Sequence, residues 1–175
     1  SRLSRALPLI APGTELRDGL DRIVQGRTGA LVTLGNNARL QALATGWFAI
    51  DVAFTGTALR ELAKMDGAII LNDALDRILF AGVHLMPDAS VETSETGTRH
   101  RTADRVASQT GVPTVTVSAS MSTISLFVDG RRWVVQRPEQ LLARANQALA
   151  TLARYATRLN EATARLSAAE VHDAA

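Results

Sequence analysis

The sequence predicts an α/β fold, a mixed central sheet of about seven strands flanked by helices, with a C-terminal helical extension. Three observations carry this expectation. Ala68–Leu71 is a short apolar run without alternation, the pattern of a strand buried on both faces. Asp129-Gly130 separates the apolar runs Ile124–Val128 and Trp133–Gln136, a hairpin signal because both residues tolerate the turn's positive φ. Past Pro138 the pattern changes: Leu142, Ala145, Leu149, Leu152, Ala156, Leu159, Thr163 and Leu166 keep an unbroken 3-4 spacing. The boundaries read from these features are 1–137 for the α/β domain and 138–175 for the extension.

The elements follow in order. Within Ser1–Gly26, Leu16, Leu20 and Ile23 share one helical face. Gly26 and Gly29 bracket a turn into a strand at Ala30–Leu34. Gly35-Asn36-Asn37 reads as a turn into a second strand near Arg39–Ala44, making a hairpin. Thr55 or Thr57 caps a helix reaching about Met65, with Leu59, Leu62 and Ala63 inward. Ala68–Leu71 and Ile78–Leu85 are strands divided by the polar turn Asn72-Asp73, and Pro87–Gly97 is a polar loop. A helix runs from about Arg99 to Gln109 and stops at Gly111. Strands at Thr114–Ser118, Ile124–Val128 and Trp133–Gln136 complete the sheet. Pro138 suits a first helical turn, so the heptad seam is one long helix or two stacked ones.

Composition narrows the function. The 175 residues are 46% hydrophobic and 21% charged, a globular rather than a disordered balance. Cysteine is absent, which excludes a disulfide framework, a cysteine-based zinc site and a cysteine nucleophile. No apolar run approaches the roughly 20 residues of a membrane span. Ala6–Pro12 is short, and Glu15, Arg17 and Asp18 follow it without a signal-peptidase site, so a cytoplasmic protein without membrane contact is expected. The first residue is not methionine, so flanking domains are expected. A net charge of +2 is too weak to imply nucleic acid. Lys64 is the only lysine among the 19 basic residues. Arginine grips phosphate with two prongs, but most of the excess is explained by a GC-rich codon supply, so only arginines inside a motif carry weight.

Walker, dinucleotide, zinc-protease and nucleophile-elbow patterns are all missing, and His84, His100 and His172 are too far apart in sequence for a local metal cluster. Two segments remain. Met65-Asp66-Gly67-Ala68 lies where a helix gives way to a buried strand, with an acid at the mouth of the sheet and a glycine that admits a close backbone approach. A plain Asp-Gly turn is the simpler account of it. Gly97-Thr98-Arg99-His100-Arg101-Thr102 stands directly before a helix, where free N–H groups and the dipole attract anions. Here the simpler account is an exposed helix start with Asp104 and Arg105 solvated. Together the segments offer one acid able to hold a divalent cation and a dense set of phosphate donors, the equipment of nucleotidyl transfer.

Asp66-Gly67-Ala68, followed some thirty residues later by Gly97-Thr98-Arg99-His100-Arg101, resembles the paired motifs of the diadenylate cyclases. The resemblance runs over most of Gly19–Leu159 and includes Gly26-Arg27-Thr28-Gly29-Ala30-Leu31. It implies condensation of two ATP into cyclic di-AMP with release of two pyrophosphates, dependent on Mg²⁺ or Mn²⁺. Carried over by motif, Asp66 binds the metal and helps activate the ribose 3′-hydroxyl. Gly67, Ala68 and Leu85 line the adenosine pocket, and Thr98, Arg99, His100, Arg101 and Thr102 hold phosphates, with Asp66, Arg99, His100 and Arg101 as the catalytic set. Membrane-bound members carry a glutamate after the strand matching Thr114–Ser118. This chain has Ala119-Ser120-Met121, which favours the soluble DNA-scanning branch. In that branch DNA binding belongs to a C-terminal domain absent from this chain. Two active sites must meet face to face in a homodimer, and in the family such dimers build an octamer, which the heptad seam would support.

The alternatives are a catalytically silent module that senses ATP or cyclic di-AMP, and a purely structural oligomerisation domain. The intact Asp66 argues against the first. The second leaves both motifs unexplained.

Overall fold

Along Ala68–Leu71 alternate residues enter two different cores, and this makes the run apolar throughout. Ile69 and Leu71 pack with Leu20, Ile23 and Leu59, whereas Ala68 and Ile70 pack with Leu40, Val106 and Phe127. The sheet is therefore covered on both faces.

The computed structural model describes residues 1–174. The helices are α1 (Arg2–Ala6), α2 (Glu15–Gln25), α3 (Ala38–Ala42), α4 (Gly56–Leu62), α5 (Thr98–Thr110) and α6 (Pro138–Asp173), with a 3-10 turn at Leu7–Ile10. The strands are β1 (Ala30–Thr33), β2 (Ala44–Thr45), β3 (Phe48–Ala53), β4 (Ala68–Leu71), β5 (Arg77–Leu85), β6 (Thr114–Ser118), β7 (Thr123–Val128) and β8 (Arg131–Val135). The sheet runs β2-β5-β4-β1-β6-β7-β8, with β3 also paired to β5. β1 and β4 are parallel, and every other pairing is antiparallel. Helices α2 and α4 supply one core, and α3 and α5 the other. The mixed α/β architecture is the expected one, with eight strands rather than seven among the described residues.

Two elements differ from expectation. The hairpin at Arg39–Ala44 is the helix α3, followed by the two-residue β2. Asn37 is not a turn residue but the helix cap: its Oδ1 accepts from the Leu40 N–H at 2.8 Å, and its Nδ2 donates to the Thr110 carbonyl at 2.9 Å. Leu40 is fully buried beneath it. Strand β1 pairs with β4 and β6 instead of a hairpin partner. Strand β3, not anticipated, is exposed at almost every position, so it lacks the alternating pattern that announces a half-buried strand.

The remaining boundaries follow local chemistry. The Thr55 hydroxyl accepts from the Ala58 N–H and starts α4, which ends at Leu62 rather than near Met65. Gly111, at φ +73°, ends α5 in the left-handed conformation. The chain divides into two compact units, Ser1–Val135 and Gln136–Ala175. The second contains α6, a helix of 36 residues, about 54 Å at 1.5 Å per residue. Its seam leucines, Leu142, Leu149, Leu152, Leu159 and Leu166, are all exposed. No helix among the described residues is long and apolar enough to cross a membrane.

Asn37→Ala removes both the α3 cap and the tie to α5. It is expected to lower unfolding free energy by about 1–2 kcal/mol in denaturant titration. A loss within experimental error would contradict the capping assignment.

Candidate nucleotide-binding site

Strand β4 begins, and β5 ends, beside the first turn of α5. The cavity there measures about 650 Å³, within the range of small-molecule sites. Its lining includes Thr28, Gly29 and Leu31 at the start of β1, Lys64, Asp66, Gly67 and Ala68 at the α4–β4 turn, His84 and Leu85 of β5, and Thr98, Arg99 and Thr102 of α5. Asp66, Gly67, Ala68, Leu85, Thr98, Arg99 and Thr102 thus come together from segments far apart in sequence. His100 and Arg101 do not line the cavity.

The turn carrying Asp66 is fixed by a contact between two backbones. Gly67 has φ +101°, and a Cβ built on it would stand 2.8 Å from the Gly82 carbonyl carbon. Gly82 is itself at φ +61° under the Phe48 ring. The absent side chain of Gly67 therefore serves the crossing of β4 and β5, in addition to leaving the cavity open. Asp66, next to this crossing, is exposed at the cavity edge.

Helix α5 begins without a side-chain cap: Gly97 occupies the N-cap position and no acid lies in the first turn. Its leading N–H groups are left to whatever anion enters, and the helix dipole favours negative charge there. The loop before it is tied down from the helix itself. Asp104 is buried and accepts from the Thr93 hydroxyl at 2.6 Å. Arg105 donates to the carbonyls of Val91 at 2.8 Å and Ala89 at 3.2 Å. Asp104 and Arg105 are thus anchors of the loop and not solvated surface charges. From β8, Arg132 reaches Glu95 at 3.3 Å and the Ser125 hydroxyl at 3.1 Å.

His100 is half-buried, its ring 5.9 Å from that of Phe127. Burial first, then the Arg132 charge, push its imidazole below the ordinary histidine range, with Glu95 opposing. Arg101 is exposed. Thr28, Gly29, Lys64 and His84 line the cavity without having been singled out by role. The one signal for Thr28 and Gly29 was their place in the Gly26–Leu31 segment. Lys64 holds Glu61 at 2.8 Å.

A divalent cation has one carboxylate to meet here. Among the described residues no three His, Cys, Asp or Glu side chains are grouped as a metal cage. Asp66 is the carboxylate of the cavity that could hold a hard divalent cation, whose other ligands would come from water or a bound anion.

An uncapped, arginine-bearing helix start and a carboxylate thus line one cavity of an α/β domain, an arrangement that can receive an anionic ligand. Residues 17–132 match the family model described as DisA bacterial checkpoint controller nucleotide-binding, and residues 135–175 match that of the DisA linker region. The chain belongs to this family. Its similar relatives include the DNA integrity scanning proteins DisA of Beutenbergia cavernae, 56% identical over 95% of this chain and 46% of that protein, and of Parafrankia sp., 57% identical over 95% and 46%. The chain therefore spans about half the length of the curated relatives it matches. Among solved structures it is similar to DacA of Staphylococcus aureus, with TM-score 0.59 and 26% identity over 74% of this chain and 91% of that one. A hypothetical membrane spanning protein from Bacillus cereus shares the fold at TM-score 0.62 and 22% identity, over 70% of this chain and 62% of that one.

The depressed His100 titration gives a pH prediction. As pH falls, the unfolded chain takes up this proton first, near the ordinary histidine value of about 6.5, so stability is lost below that pH and unaffected above it. Between pH 7.5 and 5.5 the wild type should lose more unfolding free energy than His100→Asn. Equal losses would contradict the depressed titration assigned to His100.

Proposed function

We propose that the chain is the catalytic unit of a diadenylate cyclase, which joins two ATP into cyclic di-AMP and releases two pyrophosphates. One observation carries the reading: Asp66 and the uncapped start of α5 with Arg99 line the same cavity.

Each part of the cavity has a task in this chemistry. Leu31, Ala68 and Leu85 give the adenosine an apolar wall. The α5 N–H groups, Thr98, Thr102 and the Arg99 guanidinium take the triphosphate, whose charge the helix dipole and arginine offset. His100 and Arg101, which lie off the cavity in one chain, act on the part of the triphosphate extending past it. Asp66 has the task of helping the 3′-hydroxyl lose its proton. A Mg²⁺ or Mn²⁺ ion held by Asp66 and phosphate oxygens would supply the Lewis acidity that makes that hydroxyl a nucleophile.

A single chain holds one nucleotide, and the ring needs two. Each 3′-oxygen attacks the α-phosphorus of the other ATP, and the bond from that phosphorus to pyrophosphate breaks. Two cavities must consequently face each other across a two-fold axis, so that each nucleotide is held in place for attack on the other. The exposed leucine seam of α6 suits a larger homo-oligomer built from such dimers, an octamer in the fullest form of this reading.

The test is direct: the purified chain, given ATP and Mn²⁺, should form cyclic di-AMP by mass, and its absence would overturn the proposal. Asp66→Asn should reduce synthesis about a hundredfold or more while leaving ATP affinity within about threefold, because the arginine and helix start are untouched. Normal turnover by this variant at limiting metal would contradict the role given to Asp66.

A further inference from the structure

Thr28 and Gly29, at the end of the segment Gly26-Arg27-Thr28-Gly29, line the cavity, and the chemistry above gives them no task. The segment's backbone is firmly placed. Arg27 turns the chain at φ +55°, its N–H bonds to the Val24 carbonyl at 3.1 Å, and the Thr28 N–H bonds to the Ile23 carbonyl at 3.4 Å. Ala30 then enters the sheet opposite Val117. Gly29, between this turn and the strand, is not among the glycines with positive φ. No backbone conformation there calls for glycine.

What the position does require is the absence of a side chain. A Cβ built on Gly29 would stand 2.5 Å from Cζ and 2.6 Å from Nη2 of Arg99, and would overlap Nη1 outright. These are the three nearest atoms, and all belong to one guanidinium. The head group of Arg99 thus lies against the bare Cα of Gly29, reaching from the α5 start to the beginning of β1 across the cavity they share.

We infer that Gly29 is a positioning residue for Arg99, its missing side chain being the seat that holds the guanidinium where phosphate enters. A methyl group at 29 would be accepted by the strand, because the atoms in its way are the far end of a flexible side chain. Arg99 would have to leave. The glycine would then act entirely through the arginine, and its loss would be an arginine defect without a folding defect. The affinity part of this inference rests on the proposed role of Arg99 in binding the triphosphate, whereas the seat itself does not.

A double-mutant cycle on the whole chain tests it, with Gly29→Ala, Arg99→Ala and the pair, reading ATP affinity by calorimetry and thermal midpoint. Gly29→Ala should weaken ATP binding by about ten- to a hundredfold, the range of a charge-assisted hydrogen bond, with the midpoint within about 2 °C of wild type. In the Arg99→Ala background the same substitution should cost nothing more. A penalty that persists without Arg99, or unchanged affinity in the single variant, would overturn the inference. A crystal structure of Gly29→Ala supplies a readout independent of nucleotide: Arg99 displaced from residue 29 supports the seat, and Arg99 in place against a shifted strand refutes it. Should the wild type bind no ATP, the functional proposal would fail and this structural comparison would still decide the seat.

Discussion

The site depends on a helix that starts without a cap. Four N–H groups at the head of any helix need partners, and a side chain from the preceding residues commonly supplies one. Helix α5 has glycine in that place, so its first turn can meet a ligand's oxygen atoms instead. Leaving it open is tolerable because the helix is secured elsewhere. Asp104 and Arg105 hold the preceding loop, Gly111 closes the far end, and Ala103, Val106 and Ala107 are buried against the sheet. Order is thus provided by one face of α5, and the binding capacity by its tip.

The second constraint is the crossing of Gly67 and Gly82. It brings the turn after α4 close to the end of β5, setting Asp66 opposite the helix start. A side chain on Gly67 would meet the Gly82 backbone and one on Gly82 the Phe48 ring, both at positive φ, in contrast with Gly29, where the three nearest atoms are the end of Arg99. The three glycines look alike in the sequence and do different work. Gly67 lets main chain meet main chain, Gly82 leaves room for the Phe48 ring, and Gly29 gives a guanidinium room.

Much of this is legible in the sequence. Strand β4 declares itself because burial on both faces demands a continuous apolar run, β1, β6 and β7 because they are rich in β-branched and apolar residues between turn signals, and α5 because Gly111 stops an amphipathic stretch. Helix α3 is not, since Asn37 suits a turn as well as a cap and five residues are too few to display a period. Strand β3 was hidden by exposure. Within the site, the motifs named Asp66 and Arg99, but not that His100 turns toward Phe127 or that Gly29 lies beneath Arg99. Contacts of that kind depend on how α5 is laid across the sheet, and spacing along the chain carries no record of it.

The central claim is that two chains share one reaction, each supplying half of the ring closure. Mixing wild type with Asp66→Asn in rising proportion, with subunit exchange verified independently, tests it directly. Because both 3′-hydroxyls must attack, a mixed dimer stops after at most one bond and leaves a linear product. Cyclic di-AMP should therefore fall close to the square of the wild-type fraction, with linear dinucleotide appearing at intermediate ratios. A strictly proportional fall, without the linear species, would show each chain completing the ring alone and would contradict the face-to-face account.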